Sequence, residues 1–180
     1  MRVISGSARG IALKTPEGLQ TRPTTDRVKE AMFSIIHFQL PGATVLDLFG
    51  GTGQLGIEAL SRGAKNATFV DAGEKACALI KENLRRTKME QLGRVVRNDY
   101  LTFLRGCTEK YDMIFLDPPY AEVFLENALK CITEIDILRS NGIIMCERPL
   151  GKELPWEYAG YTRSKDYKYG NTLVTIYRKD

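Results

Sequence analysis

Four segments that the sequence predicts as strands each lead to an aspartate, and this regularity constrains the fold more than any other feature. The acids are Asp47, Asp71, Asp99 and Asp117. Predicted helices separate the strands, and repeated strand–helix units form a parallel sheet that is covered on both faces. Because ligands bind at the carboxyl edge of such a sheet, we expect the four acids to line one cleft.

The hydrophobic pattern predicts one domain over residues 1–180, with an N-terminal hairpin and loop over 1–23 and an α/β core over 24–180. The hairpin itself is expected over residues 2–13, and a helix follows Asp26. Beyond it the pattern predicts strands at 44–48, 67–70, 94–97, 111–116 and 142–146, helices at 55–61, 74–87 and 123–134, and two final strands around 169–171.

Composition excludes several classes of protein. Hydrophobic residues make up 43% of the chain and charged residues 27%, which is ordinary for a soluble globular domain. No apolar run approaches the roughly 18 residues of a membrane span, and no secretory leader is evident, so the cytoplasm is the expected compartment. The four cysteines form no Cys-x-x-Cys pair and His37 is the single histidine, so we expect neither a metal site nor a disulfide framework.

Positive charge is concentrated at the two ends of the chain. Residues 1–40 hold six Lys or Arg against three Asp or Glu, and residues 151–180 hold six against four. Basic flanks around a nearly neutral centre favour contact with a polyanion such as a nucleic acid. A solvated basic surface that binds nothing is the alternative, and charge alone does not separate the two.

A glycine-rich turn follows the first strand. Gly51-Thr52-Gly53-Gln54-Leu55-Gly56 matches the G-x-G-x-x-G pattern of dinucleotide sites, and Asp71 lies twenty residues after Gly51, where a ribose-binding acid is expected. Asp47, just before the turn, would repel a pyrophosphate but would stabilise the ammonium and sulfonium of S-adenosylmethionine. The turn therefore predicts S-adenosylmethionine, with a cofactor site formed by Asp47, Phe49, Gly51, Gly53, Asp71, Asn98 and Asp99.

Asp117-Pro118-Pro119-Tyr120 follows another buried strand and predicts a rigid turn that presents acceptors only, because the prolines fix φ and lack N–H groups. The Asp117 carboxylate and the Pro118 carbonyl can hold the two N–H bonds of a planar amino group, and Tyr120 can stack on its ring. We expect Asp117, Pro118 and Tyr120 to be the catalytic residues. Asp117 or solvent would accept the departing proton, and the target base would have to be unpaired or flipped out.

With these motifs in place, the chain resembles the bacterial 16S ribosomal RNA guanine-N2 methyltransferases of the small ribosomal subunit, the guanine-966 type. The resemblance covers essentially the whole chain. It implies a Rossmann-like methyltransferase fold with a mostly parallel seven-stranded sheet and an antiparallel last strand, and methyl transfer to a guanine amine in 16S RNA of an assembling subunit. It rests on residues 2–6 with Arg9-Gly10, on residues 22–33, on Asp47–Gly53 and 56–64, and on Asp117–Tyr120.

Five basic residues are predicted to contact RNA phosphates, namely Arg9, Arg22, Arg27, Lys29 and Lys168. Thr24 or Thr25 is expected to cap the first helix. The alternative is that this segment only begins a helix and that its basic side chains are solvated.

Several functions remain open from the residues alone. An adenine-N6 methyltransferase would use the same tetrapeptide, and a glutamine amide is another planar amine. A nicotinamide-dependent oxidoreductase and a non-catalytic RNA-binding module are the alternatives of other classes. We expect a monomer without a membrane partner.

Overall fold

A computed structural model of the chain describes residues 1–16, 26–119, 122–151 and 153–179. It confirms the predicted α/β architecture, with a central sheet between two layers of helices. The strands are β1 (Thr44–Asp47), β2 (Asn66–Asp71), β3 (Gly93–Arg97), β4 (Tyr111–Leu116), β5 (Leu138–Pro149), β6 (Glu157–Tyr158), β7 (Tyr161–Tyr169) and β8 (Thr172–Lys179). The helices are α1 (Asp26–Ile35), α2 (Gln54–Ser61), α3 (Glu74–Arg86), α4 (Tyr100–Arg105) and α5 (Glu122–Ile135), with a short 3-10 turn at His37–Gln39.

The strands lie in the order β3-β2-β1-β4-β5-β8-β7-β6. β1 to β5 run parallel, and β8 is inserted antiparallel between β5 and β7. The predicted antiparallel last strand is therefore confirmed. Among the described residues the sheet has eight strands, because the two-residue β6 adds an edge that the sequence did not predict.

Two apolar clusters cover the two faces of the sheet, as parallel strands buried on both sides require. Helices α1, α2 and α3 pack on one face through residues such as Phe33, Ile57 and Ile80. Helices α4 and α5 pack on the other through residues such as Leu104 and Leu129. Because successive strand side chains alternate between faces, every second residue at the carboxyl edge points to the α1–α3 side.

The N-terminal segment has the outline of the predicted hairpin, but a single antiparallel bridge between Arg2 and Ala12 closes it. It is fastened to α2. Glu58 is fully buried, and its carboxylate accepts hydrogen bonds from Ile4 N at 2.8 Å and Ser5 N at 3.0 Å. Gly6 has φ of +84°, and a Cβ there would lie 1.8 Å from the Ser61 carbonyl oxygen, so the close approach to α2 requires glycine.

A second fastening runs through Asn83 of α3. Its fully buried amide accepts from Lys14 N at 2.7 Å and donates to Lys14 O at 3.1 Å and to Thr52 O at 2.8 Å. One side chain thus ties the N-terminal segment to the glycine turn after β1.

The predicted helices and strands are present in the structure, which adds β6, the 3-10 turn at His37–Gln39 and α4. The six-residue α4 is too short for a helical periodicity to show in the sequence. The expected cap at Thr24 or Thr25 lies outside the described residues. Within the part of the chain that the structure describes, no helix is long and apolar enough to cross a membrane.

Candidate active site

A cleft of about 1150 Å³ opens at the carboxyl edge of the parallel strands. The acids that end or follow β1, β2, β3 and β4 all line it, as the strand-end pattern predicts; they are Asp47, Asp71, Asp99 and Asp117. All the predicted cofactor and catalytic residues of the described chain except Gly53 therefore line one cleft, although they are spread over some 70 residues of sequence. Gly53 is buried at the N-terminus of α2 and does not line the cleft.

The glycine turn forms the floor of one half of the cleft. Gly50 N donates to Val70 O at 2.8 Å, which holds the turn against β2. Gly51 and Gly53 have φ of +56° and +79°, a region that other residues adopt only with strain. A Cβ on Gly51 would meet only the Phe49 carbonyl, at 3.9 Å, so its exposed backbone is open to a ligand.

Asp47 is buried beneath this turn. Its Oδ2 accepts a hydrogen bond from Gly56 N, in the first turn of α2, at 3.0 Å. Burial raises the pKa of Asp47 to about 7, the Gly56 hydrogen bond opposes that rise, and Asp71 adds to it. A cation bound nearby would favour the ionised form of this carboxyl.

Asp71 joins the turn to the loop after β2. One carboxylate oxygen accepts from Gly51 N at 2.9 Å and the other from Gly73 N at 2.8 Å. Asp99 is the N-cap of α4, accepting from Thr102 N at 3.0 Å. Asn98 lies beside it on the cleft wall.

Three aromatic rings gather on this wall. The centroids of Phe49 and Tyr100 are 5.1 Å apart, and those of Tyr100 and Phe124 are 5.4 Å apart. All three line the cleft. Phe49 was predicted from the glycine turn, whereas Tyr100 and Phe124 were missed because each lies in the first residues of a helix that follows a strand-end motif. Such a cluster can hold the flat face of a purine.

Asp117 and Pro118 lie at the other half of the cleft. The Asp117 carboxylate accepts no hydrogen bond from any described residue. Its pKa is raised well above the ordinary value, chiefly by burial, and also by the negative charges of Glu147 and Asp47. Tyr120, the third predicted catalytic residue, lies outside the described residues.

Glu147 on β5 lines the cleft beside Asp117 and was not predicted. Its signal was present in the sequence: it comes one residue after the predicted end of the fifth strand, Cys146, where the strand-end pattern would place an acid. Gln54 and Lys75 also line the cleft without having been predicted. Gln54 Oε1 is a buried acceptor without a donor among the described residues.

None of the predicted RNA contacts that the structure describes lines the cleft. Arg9, Arg27 and Lys168 are exposed and do not line the cleft, whereas Arg22 lies outside the described residues. Lys168 lies on β7 close to the β7–β8 turn, and two residues of that hairpin, Asn171 and Thr172, reach the cleft rim.

The prediction that Lys29 contacts RNA is wrong. Its side chain is fully buried, with Nζ 2.6 Å from Arg2 O and 3.5 Å from Glu58 Oε2. Burial lowers the pKa of Lys29, and the Glu58 carboxylate opposes this. The ammonium therefore fastens the N-terminal segment to α2 and cannot reach a phosphate.

Within the described ranges, no group of three or more His, Cys, Asp or Glu side chains could hold a metal ion. Carboxylates, the backbone of the glycine turn and aromatic rings line the cleft. A Rossmann-like sheet with an antiparallel strand next to β5, and an acid-led glycine turn, define the class of S-adenosylmethionine-dependent methyltransferases.

Comparison with known proteins narrows this class. The sequence profile of the family described as "Conserved hypothetical protein 95" matches residues 1–178, and the chain belongs to that family. It is 42% identical to the "Putative rRNA methyltransferase YlbH" of Bacillus subtilis, over 99% of both chains. It is 30% identical to the "Ribosomal RNA small subunit methyltransferase D" of Escherichia coli K12, over 100% of this chain and 90% of that protein.

A comparison with solved structures also finds a methyltransferase. The chain is similar to the "Putative methyltransferase yhhF from Escherichia coli", with a TM-score of 0.91 and 29% identity over 100% of this chain and 98% of the other. The predicted resemblance and the methyltransferase fold are therefore confirmed.

The residues present fit S-adenosylmethionine. The space above Gly51 is open where a Cβ would intrude, Gln54 Oε1 is a buried acceptor without a donor in the described chain, and Asp47 is a buried carboxyl that a cation would stabilise. An ammonium and a sulfonium match the last two features, and a pyrophosphate matches neither.

Proposed function

We propose that this protein transfers a methyl group from S-adenosylmethionine to the exocyclic N2 amine of a guanine in 16S ribosomal RNA. The observation that carries this proposal is the Asp117 carboxylate. It lies without a hydrogen-bond donor from the described chain in the cleft that Pro118 and Gly51 of the glycine turn also line. The names of the relatives, which include a small-subunit ribosomal RNA methyltransferase, supply the substrate class.

Asp117 and Pro118 would orient the reacting amine. The lone pair of an amine on an aromatic ring is delocalised, so the nitrogen is a weak nucleophile. Two acceptors that take its two N–H bonds hold the nitrogen in place and polarise it, and positioning of this kind can supply several kcal/mol, up to roughly 7–11 in ideal cases. The raised pKa of Asp117 makes its carboxylate a stronger base than an ordinary one, which suits acceptance of the departing proton. Tyr120 would stack on the base.

S-adenosylmethionine supplies an electrophilic methyl group on a sulfonium. We assign its methionine part to the turn around Gly51 and Gly53. The carboxylate of Asp47, buried beneath the turn, would stabilise the positive charge of the cofactor. Asp71 binds the ribose hydroxyls through the lone pairs that its backbone hydrogen bonds leave available. Phe49, Asn98 and Asp99 form the adenine end of the site.

Arg9, Arg22, Arg27 and Lys168 are the proposed phosphate contacts. Such contacts make binding strongly dependent on salt, because each neutralised phosphate releases counterions. We further propose that the protein acts in the cytoplasm as a monomer on an assembling small subunit.

The test is transfer of tritiated methyl groups to small subunits that lack modifications, followed by nucleoside analysis of the RNA. We expect label in N2-methylguanosine at one position. Label in N6-methyladenosine would favour the adenine-directed alternative, and no label would leave a passive RNA-binding module. Calorimetry with S-adenosylmethionine and with NAD separates a methyltransferase from an oxidoreductase.

A further inference from the structure

Glu147 stands next to Asp117 at the carboxyl edge of the sheet. β4 and β5 are parallel and pair Leu116 with Cys146, so the next residue of each strand is an acid. Glu147 also pairs with Val174 of β8, which is buried in the cluster on the α1–α3 side. Strand alternation places Asp117 on that same side, two residues beyond Phe115 of the same cluster.

The two acids also influence each other electrostatically. The charge of Glu147 contributes to the raised pKa of Asp117, and both side chains line the cleft. Two neighbouring carboxylates repel each other in a partly dehydrated site. A ligand that brings two adjacent N–H donors would offset this repulsion, whereas a ligand with one donor and one lone pair would not.

Base chemistry supplies such a ligand. In guanine, the N2 amine is adjacent to the N1–H donor, so the edge presents donors side by side. In adenine and cytosine, the exocyclic amine is adjacent to a ring nitrogen that carries a lone pair, which a carboxylate repels. We propose that Glu147 is a specificity-determining residue that accepts the N1–H of the target guanine while Asp117 and Pro118 hold its N2 amine. This inference rests on the proposed function and names what selects its base.

The discriminating probe is 2-aminopurine, which keeps the 2-amino group but carries a lone pair at N1. Small subunits are reconstituted with 16S RNA that has guanine or 2-aminopurine at the mapped position, and kcat/KM for methyl transfer is measured on each. We expect wild-type protein to prefer guanine by at least about 100-fold, because a site that hydrogen-bonds a donor strongly rejects the analogue that lacks it.

Glu147→Gln is the decisive variant. Its amide can donate to the N1 lone pair of 2-aminopurine and no longer repels it, so we expect the preference to narrow to within about 10-fold. Glu134→Gln is the matched control, because it removes one negative charge from an exposed position on α5 and should keep the wild-type ratio. Calorimetry with S-adenosylmethionine shows whether each variant keeps its cofactor site.

Two results overturn the inference: a wild-type enzyme that does not discriminate between the bases, or a Glu147→Gln variant with the wild-type ratio. If Glu147→Gln turns over neither RNA, retention of the two kinds of subunit on filters with S-adenosylhomocysteine replaces the rates, and an unchanged binding ratio overturns the inference equally. Failure of the proposed function would give a different result: the wild-type protein would not label even the guanine-containing subunits.

Discussion

On the β1–β2 side of the cleft, three backbone N–H groups already occupy the carboxylates: Gly56 N bonds Asp47, and Gly51 N and Gly73 N bond Asp71. On the β4–β5 side, Asp117 accepts no hydrogen bond from the described chain, and the charge of Glu147 raises its pKa further. Aspartates at equivalent ends of parallel strands thus differ: Asp47 and Asp71 are hydrogen-bonded to the backbone, whereas Asp117 is not.

This difference in hydrogen bonding indicates that the two sides of the cleft have different roles. The carboxylates on the β1–β2 side shape a turn whose geometry is complete before any ligand arrives, which lowers the ordering cost of binding. On the β4–β5 side, the Asp117 carboxylate keeps acceptor capacity for donors that a substrate brings. Mutations on the two sides should therefore separate cofactor affinity from turnover.

The largest effect is expected at Asp117. Asp117→Ala removes the acceptor that holds the amine, and we expect turnover to fall at least ~100-fold, as loss of a general base or positioned acceptor usually causes. Affinity for S-adenosylmethionine, measured by calorimetry, should stay close to wild type because the turn after β1 is untouched. Near-normal turnover in this variant would refute the assignment of Asp117.

Gly56 tests the rigidity of the cofactor side. A Cβ at this position would lie 2.2 Å from the ring of Phe69, which is fully buried, so Gly56→Ala should lower the free energy of unfolding by about 1–3 kcal/mol. Urea denaturation measures the change. Gly51→Ala is the control, because its Cβ meets open space and only the positive φ is strained; an equal loss in both variants would contradict the packing explanation.

Asp71→Asn should weaken S-adenosylmethionine binding by about 10-fold, the equivalent of one hydrogen bond to a charged group. The amide keeps one acceptor for either Gly51 N or Gly73 N but not for both. Turnover at saturating cofactor should change little, in contrast to Asp117→Ala. If Asp71→Asn lowers turnover and leaves the dissociation constant unchanged, the division between the two sides is wrong.

The most gradual effect concerns pH. The folded pKa of Asp47 is about 7, against an ordinary value of 3.8, so the folded chain binds more protons than the unfolded chain between these limits. The free energy of unfolding of the free protein should therefore decrease as pH rises from about 4 to 7. Asp47→Asn removes this contribution but keeps an acceptor for Gly56 N. Its pH profile should be flatter by up to about 1 kcal/mol per pH unit, measured by denaturation, and parallel profiles would contradict the buried-acid account.

Strand-end acids made much of this site predictable from sequence. The rule located Asp47, Asp71, Asp99 and Asp117, because parallel strands bring their carboxyl ends to one edge irrespective of helix details. The same rule covers Glu147, one residue after the predicted end of the fifth strand at Cys146, but it was applied to aspartates alone.

Contacts between residues that are distant in the sequence could not be predicted from it. Lys29 looked like a surface cation since its sequence neighbours are charged, and nothing local indicates that Glu58, one helix further on, neutralises it in the interior. Asp99 was expected to face the cofactor, and it also caps a helix that was too short to recognise. Burial of polar groups depends on partners that periodicity does not encode.

The position of β8 has a consequence for how the chain reaches its fold. β8 follows every other strand in sequence, yet it lies inside the sheet, between β5 and β7. Until β8 has been synthesised, one edge of β5 has no partner strand. The apolar stretch of β5 from Ile143 to Cys146 can then pair with other chains. Folding during translation therefore leaves the sheet open until its latest strand is made, and aggregation of nascent chains is the hazard that this topology creates.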